Sequence, residues 1–388
     1  MNSISLRFQQ NLGYFSALFL LGLMVASLGP TLSALAEQTG SPLRSISLLF
    51  IARSMGFVVG SLWVGGLYDR VRVHLFMCGG LLLMGAMIVV TPWAGHLIAL
   101  MGIFFLQGMT GSIVNVGGNT LVVWANQGRV GPLINGLHFI WGVGASLSPI
   151  LMTWTIIQSG GIRLGYSLLA LLVLPIAFWI VRLQGPLHAR STVQGVEEEG
   201  PSSLPILIGI FLFLYTGVES SMGNWVFTYG SRAAGLSPTD ASYLNSIYWG
   251  TLTVGRLAFI PLTVRLRPRV ILLSALAGAL ASATLLLLSN KAGPSLWLGV
   301  AGLGLSLASI FPTTLAFAER RITLTGRLTG RFFACSSGGA MVLPWLIGQF
   351  YETTGPRVLL WVVWGGILGA GALFFWMMSY PRKREAQG

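Results

Sequence analysis

One carboxylate stands alone in a hydrophobic stretch of this sequence. Glu219 lies within residues 204–229, a run that is otherwise almost entirely apolar. An ionisable group at bilayer depth costs about 3 kcal/mol or more, so it usually faces a bundle interior or a wet cavity on a substrate or ion path. The other acidic residues fall in or beside predicted loops and chain ends. Glu219 is therefore the first candidate for a substrate ligand and for an ion-coupling residue.

Polar and aromatic side chains recur at helical spacing on several other apolar segments. A site for a small polar substrate combines amides and hydroxyls, which exchange hydrogen bonds, with an aromatic face for the apolar side of the ligand. These stripes and their depth predict substrate-binding residues, with most weight on Gln107 and Glu219. The predicted set is Gln107, Asn115, Asn119, His138, Trp141, Glu219, Asn224, Asn245 and Trp249.

Each of these residue types also has a structural interpretation. Asn and Gln often form hydrogen bonds between membrane helices without binding any ligand. His138 can be a packing residue or a ligand for substrate or protons. Asn224 points away from the Glu219 face unless Gly217 or Gly223 lets the helix bend. Cys78 and Cys335 fall inside predicted helices, with neither metal-ligand nor disulfide spacing.

Composition predicts the class of protein that must position these side chains. The 388 residues are 54% hydrophobic and 9% charged, which leaves too little polar surface for a soluble globule of this size. The sequence predicts an all-α integral membrane protein with twelve transmembrane helices. The predicted spans are 12–34, 46–68, 74–92, 97–124, 132–154, 164–182, 204–229, 239–262, 268–289, 294–317, 329–350 and 357–379.

The distribution of Lys and Arg predicts the orientation. Most of them fall in segments on the same side as the two termini, which predicts a multi-pass protein of the cell membrane, here the inner membrane, with both termini cytoplasmic. The net charge of +13 then reflects topology and anionic lipid. Because the basic residues are scattered through short loops, no nucleic-acid partner is expected.

A single long polar interval divides the chain. We predict an N-terminal six-helix bundle over 1–183, a cytoplasmic linker over 184–203 and a C-terminal six-helix bundle over 204–388. An internal repeat is indicated when the second half is shifted back by 195 positions. The coinciding pairs are Gly255 with Gly60, Gly339 with Gly144, Pro344 with Pro149 and Gly217 with Gly22.

Two six-helix halves joined by a cytoplasmic loop resemble the major facilitator superfamily, whose substrate site lies at the midplane between the halves. The segment from Gly65 to Arg72 is similar to that family's loop signature, although Arg72 stands where a Gly is usual. The resemblance implies a gating role for Asp69, which can accept hydrogen bonds at a helix N-terminus, with Arg70 as an ion partner. Arg256 is assigned to a corresponding gating motif in the second half.

Several segments resemble the fucose/glucose symporter branch and the related sodium-dependent glucose-transporter-like proteins. They are Tyr215–Trp225, Asn135–Phe139, Tyr248–Gly250, Gly255–Leu257 and Phe311–Pro312. The resemblance implies sugar transport coupled to protons or sodium. Where fucose symporters carry acids in helices 1 and 4, this chain has Met24 and the amides already named.

These observations predict a secondary active transporter that carries a monosaccharide by alternating access and is coupled to protons or sodium through Glu219. A multidrug or lipid exporter of the same fold, or an uncoupled sugar facilitator, is the alternative. No enzyme activity is expected, because the sequence shows no nucleophile, phosphate loop or metal cluster. We expect a monomer in the bilayer, a small-molecule substrate, and no cofactor other than the coupling ion.

Overall fold

The protein is described by a computed structural model. It describes residues 3–68, 71–126, 130–185, 203–289, 293–324 and 326–380, and within these ranges the regular structure is entirely helical. The predicted gating residues Asp69 and Arg70 lie outside the described residues, as does most of the linker predicted over 184–203.

The part of the chain that the structure describes contains twelve long helical segments, which we number α1 to α12. They are α1 Ser3–Gln38, α2 Leu48–Tyr68, α3 Val73–Val90, α4 Leu97–Ala125, α5 Gly131–Ser159, α6 Arg163–Arg182, α7 Leu204–Arg232, α8 Pro238–Ala258, α9 Pro268–Leu288, α10 Pro294–Leu307 with its continuation Ile310–Glu319, α11 Gly326–Tyr351 and α12 Val358–Met378. Short helices Leu43–Ile46 and Ile260–Arg265 flank α2 and α8, and a 3₁₀ turn, Thr91–Trp93, follows α3.

Ten of the helices in the described ranges are long and apolar enough to cross a membrane. The other two long segments, α8 and α11, carry more polar side chains along their length. The twelve predicted spans therefore each correspond to one segment, and the predicted fold class is confirmed. One detail differs: the single helix predicted over 294–317 is interrupted at Ala308 and Ser309.

The two halves repeat the same helix contacts, and glycines allow them. Gly144 of α5 packs against the backbone carbonyl of Phe19 in α1. Gly339 of α11 packs in the same way against the carbonyl of Phe213 in α7. A Cβ at either glycine would collide with that carbonyl oxygen. Since Gly144 and Gly339 are one of the coinciding pairs in the sequence, the repeat corresponds to a repeated close helix approach.

A second pair of glycines shows the same relation. Gly60 of α2 packs against Met109 and Ser112 of α4, and Gly255 of α8 packs against Leu305 and Ala308 of α10. The six helices of each half therefore pack in equivalent ways, giving two pseudo-symmetric bundles. The prolines Pro149 in α5 and Pro344 in α11 coincide as well, and each lies inside its helix.

Among the described residues, the long helices of the two halves pack together most extensively in three pairs, α1 with α7, α2 with α11 and α5 with α8. At one end of the bundle, hydrogen bonds also join the two halves. The Leu43 amide donates to Glu352 Oε1 at 2.9 Å, Arg44 Nε donates to Gln349 Oε1 at 3.0 Å, and Arg232 donates to Ser33 Oγ at 3.2 Å. We call this the closed end; it is the end where α1 finishes at Gln38 and α7 at Arg232.

We predict that Gly339→Ala destabilises the C-terminal bundle. The new methyl group would collide with the backbone carbonyl of Phe213, which cannot move without its helix. Helices α7 and α11 must therefore separate, at a cost of about 1–3 kcal/mol in the free energy of unfolding. Gly330→Ala is the matched control on the same helix, because open space surrounds Gly330, and it should be neutral or slightly stabilising. Thermal unfolding in detergent checks both variants. Equal unfolding temperatures would contradict the repeated close approach.

Candidate substrate site

Glu219 lies near the middle of α7 and has partners on two helices. Its Oε1 is 3.4 Å from a terminal guanidinium nitrogen of Arg256 on α8, forming an ion pair. The hydroxyl of Tyr215, one turn earlier on α7, donates to Oε2. The hydroxyl of Tyr248 on α8 donates to the Glu219 backbone carbonyl at 2.9 Å. The carboxylate is thus neutralised and hydrogen-bonded, as a charge at this depth requires.

The helical repeat explains why these partners converge. Tyr215 and Glu219 are four residues apart, so they lie on the same face of α7. Tyr248 and Arg256 are eight residues apart on α8, close to two full turns, so they also share a face. The facing sides of α7 and α8 therefore bring two tyrosines, one carboxylate and one guanidinium together.

Two tryptophans extend this group across the boundary between the halves. The Arg256 guanidinium lies 5.9 Å from the ring centroid of Trp141 on α5, within the range of a cation–π contact. Trp141 and Trp249 meet edge to face, with centroids 5.6 Å apart and an interplanar angle of 81°. Trp249 also contacts Tyr248 at 5.4 Å. We define the central cluster as Glu219, Arg256, Tyr215, Tyr248, Trp141 and Trp249.

His138 lies at the edge of the central cluster. It precedes Trp141 by three residues on α5, and its side chain is partly exposed. The structure therefore brings together five of the residues singled out from sequence: Glu219, Arg256, Trp141, Trp249 and His138. Arg256, assigned to gating on the sequence, is the ion partner of Glu219.

Sequence reasoning did not select the aromatic side chains that extend the cluster onto α10 and α11. The Tyr215 ring lies 6.5 Å from that of Phe311, which lies 5.4 Å from that of Phe333. The Phe333 side chain is 52% exposed. Aromatic residues are common at membrane interfaces, so composition gives no signal for these two. Tyr215 and Tyr248 do carry a signal, since they share helical stripes with Glu219 and Arg256.

Two of the predicted amides lie at the contact between the halves instead. Gly29 of α1 packs against the backbone carbonyls of Gly223 and Asn224 on α7 and against the Asn245 amide on α8. The Asn245 side chain is fully buried, and neither of its polar atoms has a hydrogen-bond partner among the residues that the structure describes. Asn224 Nδ2 donates to the Ser220 carbonyl of its own helix at 2.7 Å. In this conformation, α1 covers the Asn245 amide and packs on the Asn224 backbone.

The three predicted amides of α4 are not hydrogen-bonded to the central cluster. Gln107 is buried and donates to Thr91 Oγ1 at 3.0 Å, which ties α4 to the turn after α3. Asn119 donates to Asn115 Oδ1 at 2.9 Å, and both side chains are partly exposed. Gln107, which carried much of the weight on sequence, thus makes an interhelical hydrogen bond here. Asn115 and Asn119 present a polar face on α4.

Among the described residues, no three His, Cys, Asp or Glu side chains come together as metal ligands. The chemistry that the central cluster offers is recognition. It combines aromatic faces, phenolic hydroxyls and a paired carboxylate at a boundary between two pseudo-symmetric bundles.

Comparison with known proteins identifies the family. The model of the Major Facilitator Superfamily matches residues 14–344. The chain belongs to the major facilitator superfamily. It is therefore a multi-pass membrane transporter of this superfamily, and the resemblance drawn from the loop and helix motifs is confirmed.

The curated relatives cover nearly the whole chain. Sodium-dependent glucose transporter 1A of Mus musculus is 26% identical over 418 residues, covering 96% of this chain and 98% of its own. Sodium-dependent glucose transporter 1 of Homo sapiens is 25% identical, covering 91% and 76%. Major facilitator superfamily domain-containing protein 4A of Homo sapiens is 25% identical, covering 95% and 91%.

Among solved structures, the crystal structure of a point mutant of the nucleoside transporter NupG superposes with a TM-score of 0.76. The alignment covers 96% of this chain and 99% of that one, at 13% identity. This likeness concerns the fold, and it agrees with the twelve-helix architecture described above.

We predict that Glu219 and Arg256 depend on each other for stability. Arg256→Gln leaves a carboxylate without its ion partner in the bundle, at a cost of about 1–3 kcal/mol for a pair that is partly exposed. The double variant Glu219→Gln/Arg256→Gln removes both charges, so it should unfold at a higher temperature than Arg256→Gln alone. Thermal unfolding of the four proteins in detergent measures the coupling. Additive losses would argue against the pair.

Proposed function

We propose that this transporter carries a monosaccharide by alternating access and couples its movement to sodium or protons at Glu219. One observation carries the proposal. At the boundary of the halves, the central cluster combines a paired carboxylate at membrane depth with aromatic side chains, and its members come from both bundles. A substrate bound there touches both bundles and so can influence their relative position.

The chemistry of the cluster supports a sugar. The partly exposed Trp141 offers an aromatic face for the C–H side of a pyranose, with the buried Trp249 packed edge to face against it. The hydroxyl of Tyr215 and the carboxylate of Glu219 offer hydrogen bonds to ring hydroxyls. His138 and the partly exposed Asn115 and Asn119 would add polar groups from the N-terminal bundle. The names of the curated relatives as sodium-dependent glucose transporters add support at about 26% identity.

The geometry of the ion pair supports coupling. At 3.4 Å, the contact between Arg256 and Glu219 is longer than the 2.7–2.9 Å that is typical of a strong charge-assisted bond. A sodium ion or a proton bound to Glu219 would neutralise the carboxylate in place of Arg256, and the Arg256 guanidinium could then move away. Because a neutral carboxyl crosses an occluded state at lower cost than an anion, loading and ion binding would favour the same transition.

The closed end supports alternating access. If both termini face the cytoplasm, as Lys and Arg predict, the closed end is extracellular and the cluster opens inward. Asn224 and Asn245 then lie in the extracellular gate, and they become available to substrate when α1 separates from α7 and α8. The unpartnered Asn245 amide costs about 1–3 kcal/mol in the closed state, so this interface is poised to open. Gln107 would contribute through the hydrogen bond that holds α4 to the turn after α3. Asp69 and Arg70, which lie outside the described residues, remain proposed gating residues.

The uncoupled facilitator is a second candidate that one observation favours. Arg256 already neutralises Glu219, so the carboxylate has no need of an ion when empty. In that mechanism, Glu219 accepts a hydrogen bond from a sugar hydroxyl throughout the cycle. Transport would then be independent of sodium and pH gradients.

Counterflow of labelled glucose into proteoliposomes tests the substrate before the coupling. The vesicles are preloaded with unlabelled sugar, with fucose and galactose as competitors and no ion gradient. Transient accumulation of label establishes a sugar carrier. Absence of accumulation, from protein shown to be folded and inserted, would overturn the sugar proposal and favour a drug or lipid exporter.

We predict that Glu219→Gln retains counterflow but loses concentrative uptake. The amide can still accept and donate hydrogen bonds to a sugar, but it can bind neither a proton nor a sodium ion in place of Arg256. A sodium gradient or a pH gradient should then give no more sugar uptake than is measured without any gradient. Glu37→Gln, at an exposed position near the end of α1, is the control and should accumulate sugar normally. Undiminished accumulation by Glu219→Gln would remove Glu219 from coupling.

A further inference from the structure

A second arginine lies at membrane depth, and the ion pair leaves it without a counter-charge. Arg53 of α2 donates from Nη1 to the Val25 carbonyl of α1 at 3.0 Å. Within the described part of the chain, no carboxylate lies within 4 Å of its guanidinium. The guanidinium group has five N–H donors in a planar arrangement that suits a carboxylate. The Val25 carbonyl accepts a hydrogen bond from one of the guanidinium nitrogens.

Arg53 lies on the side of α2 that packs on other helices of its own bundle. At about 100° per residue, the lipid-exposed side chains of Met55 and Leu62 lie about 160–180° from Arg53 around α2. Phe50, one turn earlier, contacts Trp225 of α7 across the boundary of the halves, with ring centroids 5.9 Å apart. The backbone at Arg53 packs against Gly108 of α4. The partly buried Arg53 side chain thus extends from α2 to α1, while its backbone packs on α4.

The helix contacts also fix its depth. α1 and α7 run in the same direction and touch where Gly29 meets the carbonyls of Gly223 and Asn224. Val25 precedes Gly29 by four residues, and Glu219 precedes Gly223 by four. At a rise of about 1.5 Å per residue, both lie about 6 Å from that contact. Arg53, held at the Val25 carbonyl, is therefore level with Glu219 but belongs to the opposite bundle.

The charges at this level do not balance. Glu219 and Arg256 cancel, and Arg53 leaves an excess of one positive charge in a region of low dielectric constant. A ligand with one negative charge would balance it. A neutral hexose would not, and a sugar phosphate would bring close to two negative charges.

We propose that the substrate is an anionic sugar with one carboxylate, a hexuronate such as glucuronate, whose carboxylate binds Arg53 while its ring packs on Trp141. This inference rests on the proposed sugar transport and narrows its substrate class. The Arg53 guanidinium offers two parallel N–H donors to the carboxylate, and the ring hydroxyls face Tyr215 and Glu219. The substrate then spans the two bundles through one charged contact on each side.

Counterflow competition tests the assignment. Proteoliposomes take up labelled glucuronate or labelled glucose against unlabelled glucuronate, glucose or glucose 6-phosphate, without ion gradients. We expect glucuronate to compete about tenfold to a hundredfold better than glucose, which is the range for a hydrogen-bonded charge. Arg53→Gln should abolish that preference, and Arg53→Lys, which keeps the charge without the planar guanidinium, should retain part of it. Arg182→Gln, whose guanidinium lies on Phe178 at the end of α6, is the matched control and should keep the preference.

The outcomes separate this inference from the proposed function. Equal competition by glucose and glucuronate in the wild-type protein overturns the anionic substrate and leaves sugar transport standing. Counterflow of no sugar at all by folded protein overturns the proposed function itself. Arg53→Gln that weakens glucose and glucuronate by the same factor assigns Arg53 to holding α1 through Val25, and this also overturns the inference. Preferred competition by glucose 6-phosphate would replace the carboxylate with a phosphate and overturn it likewise.

Discussion

A carboxylate cannot remain bare in hydrocarbon, and the arrangement around Glu219 follows from that constraint. Its counter-charge comes from Arg256 on α8 and its hydrogen bond from Tyr215 on its own helix, while Tyr248 binds its backbone carbonyl. These contacts set the register between α7 and α8. The same guanidinium lies over Trp141 of the other half, so the neutralisation of one charge also ties the two bundles together at their boundary.

The packing separates what must be rigid from what must move. Within each half, glycines such as Gly144 and Gly339 bring helix backbones into direct contact, which leaves little freedom for those helices to slide. Between the halves, Gly29 packs on the carbonyls of α7, and the closed end is otherwise joined by polar contacts, among them Leu43 with Glu352 and Arg44 with Gln349. Such contacts are individually weak when they are exposed to solvent. The architecture therefore suits two rigid bodies that rock about a central site.

Hydrophobic periodicity and length predicted the fold because every spanning helix must satisfy its backbone internally and needs about 20 apolar residues. The break in α10 at Ala308 and Ser309 escaped prediction, since nothing in its local apolar pattern marks it. The sequence predicted the site at Glu219, because burying a charge at bilayer depth costs free energy, and at side chains that lie on the same helix face as Glu219. Amides gave a weaker signal. Gln107 and Asn245 satisfy the same pattern, but one binds Thr91 and the other is covered by α1, which only the tertiary contacts reveal.

The central claim is that the closed end is a gate that opens when the central cluster is loaded. The most direct measurement is the distance between spin labels at Gln158, near the end of α5, and Thr239, at the start of α8, both exposed at that end. The two cysteines, Cys78 and Cys335, are first replaced by serine. The account predicts a single short distance without ligand and a second, longer population when sodium and sugar are added. An unchanged distribution under conditions where counterflow proceeds would contradict it.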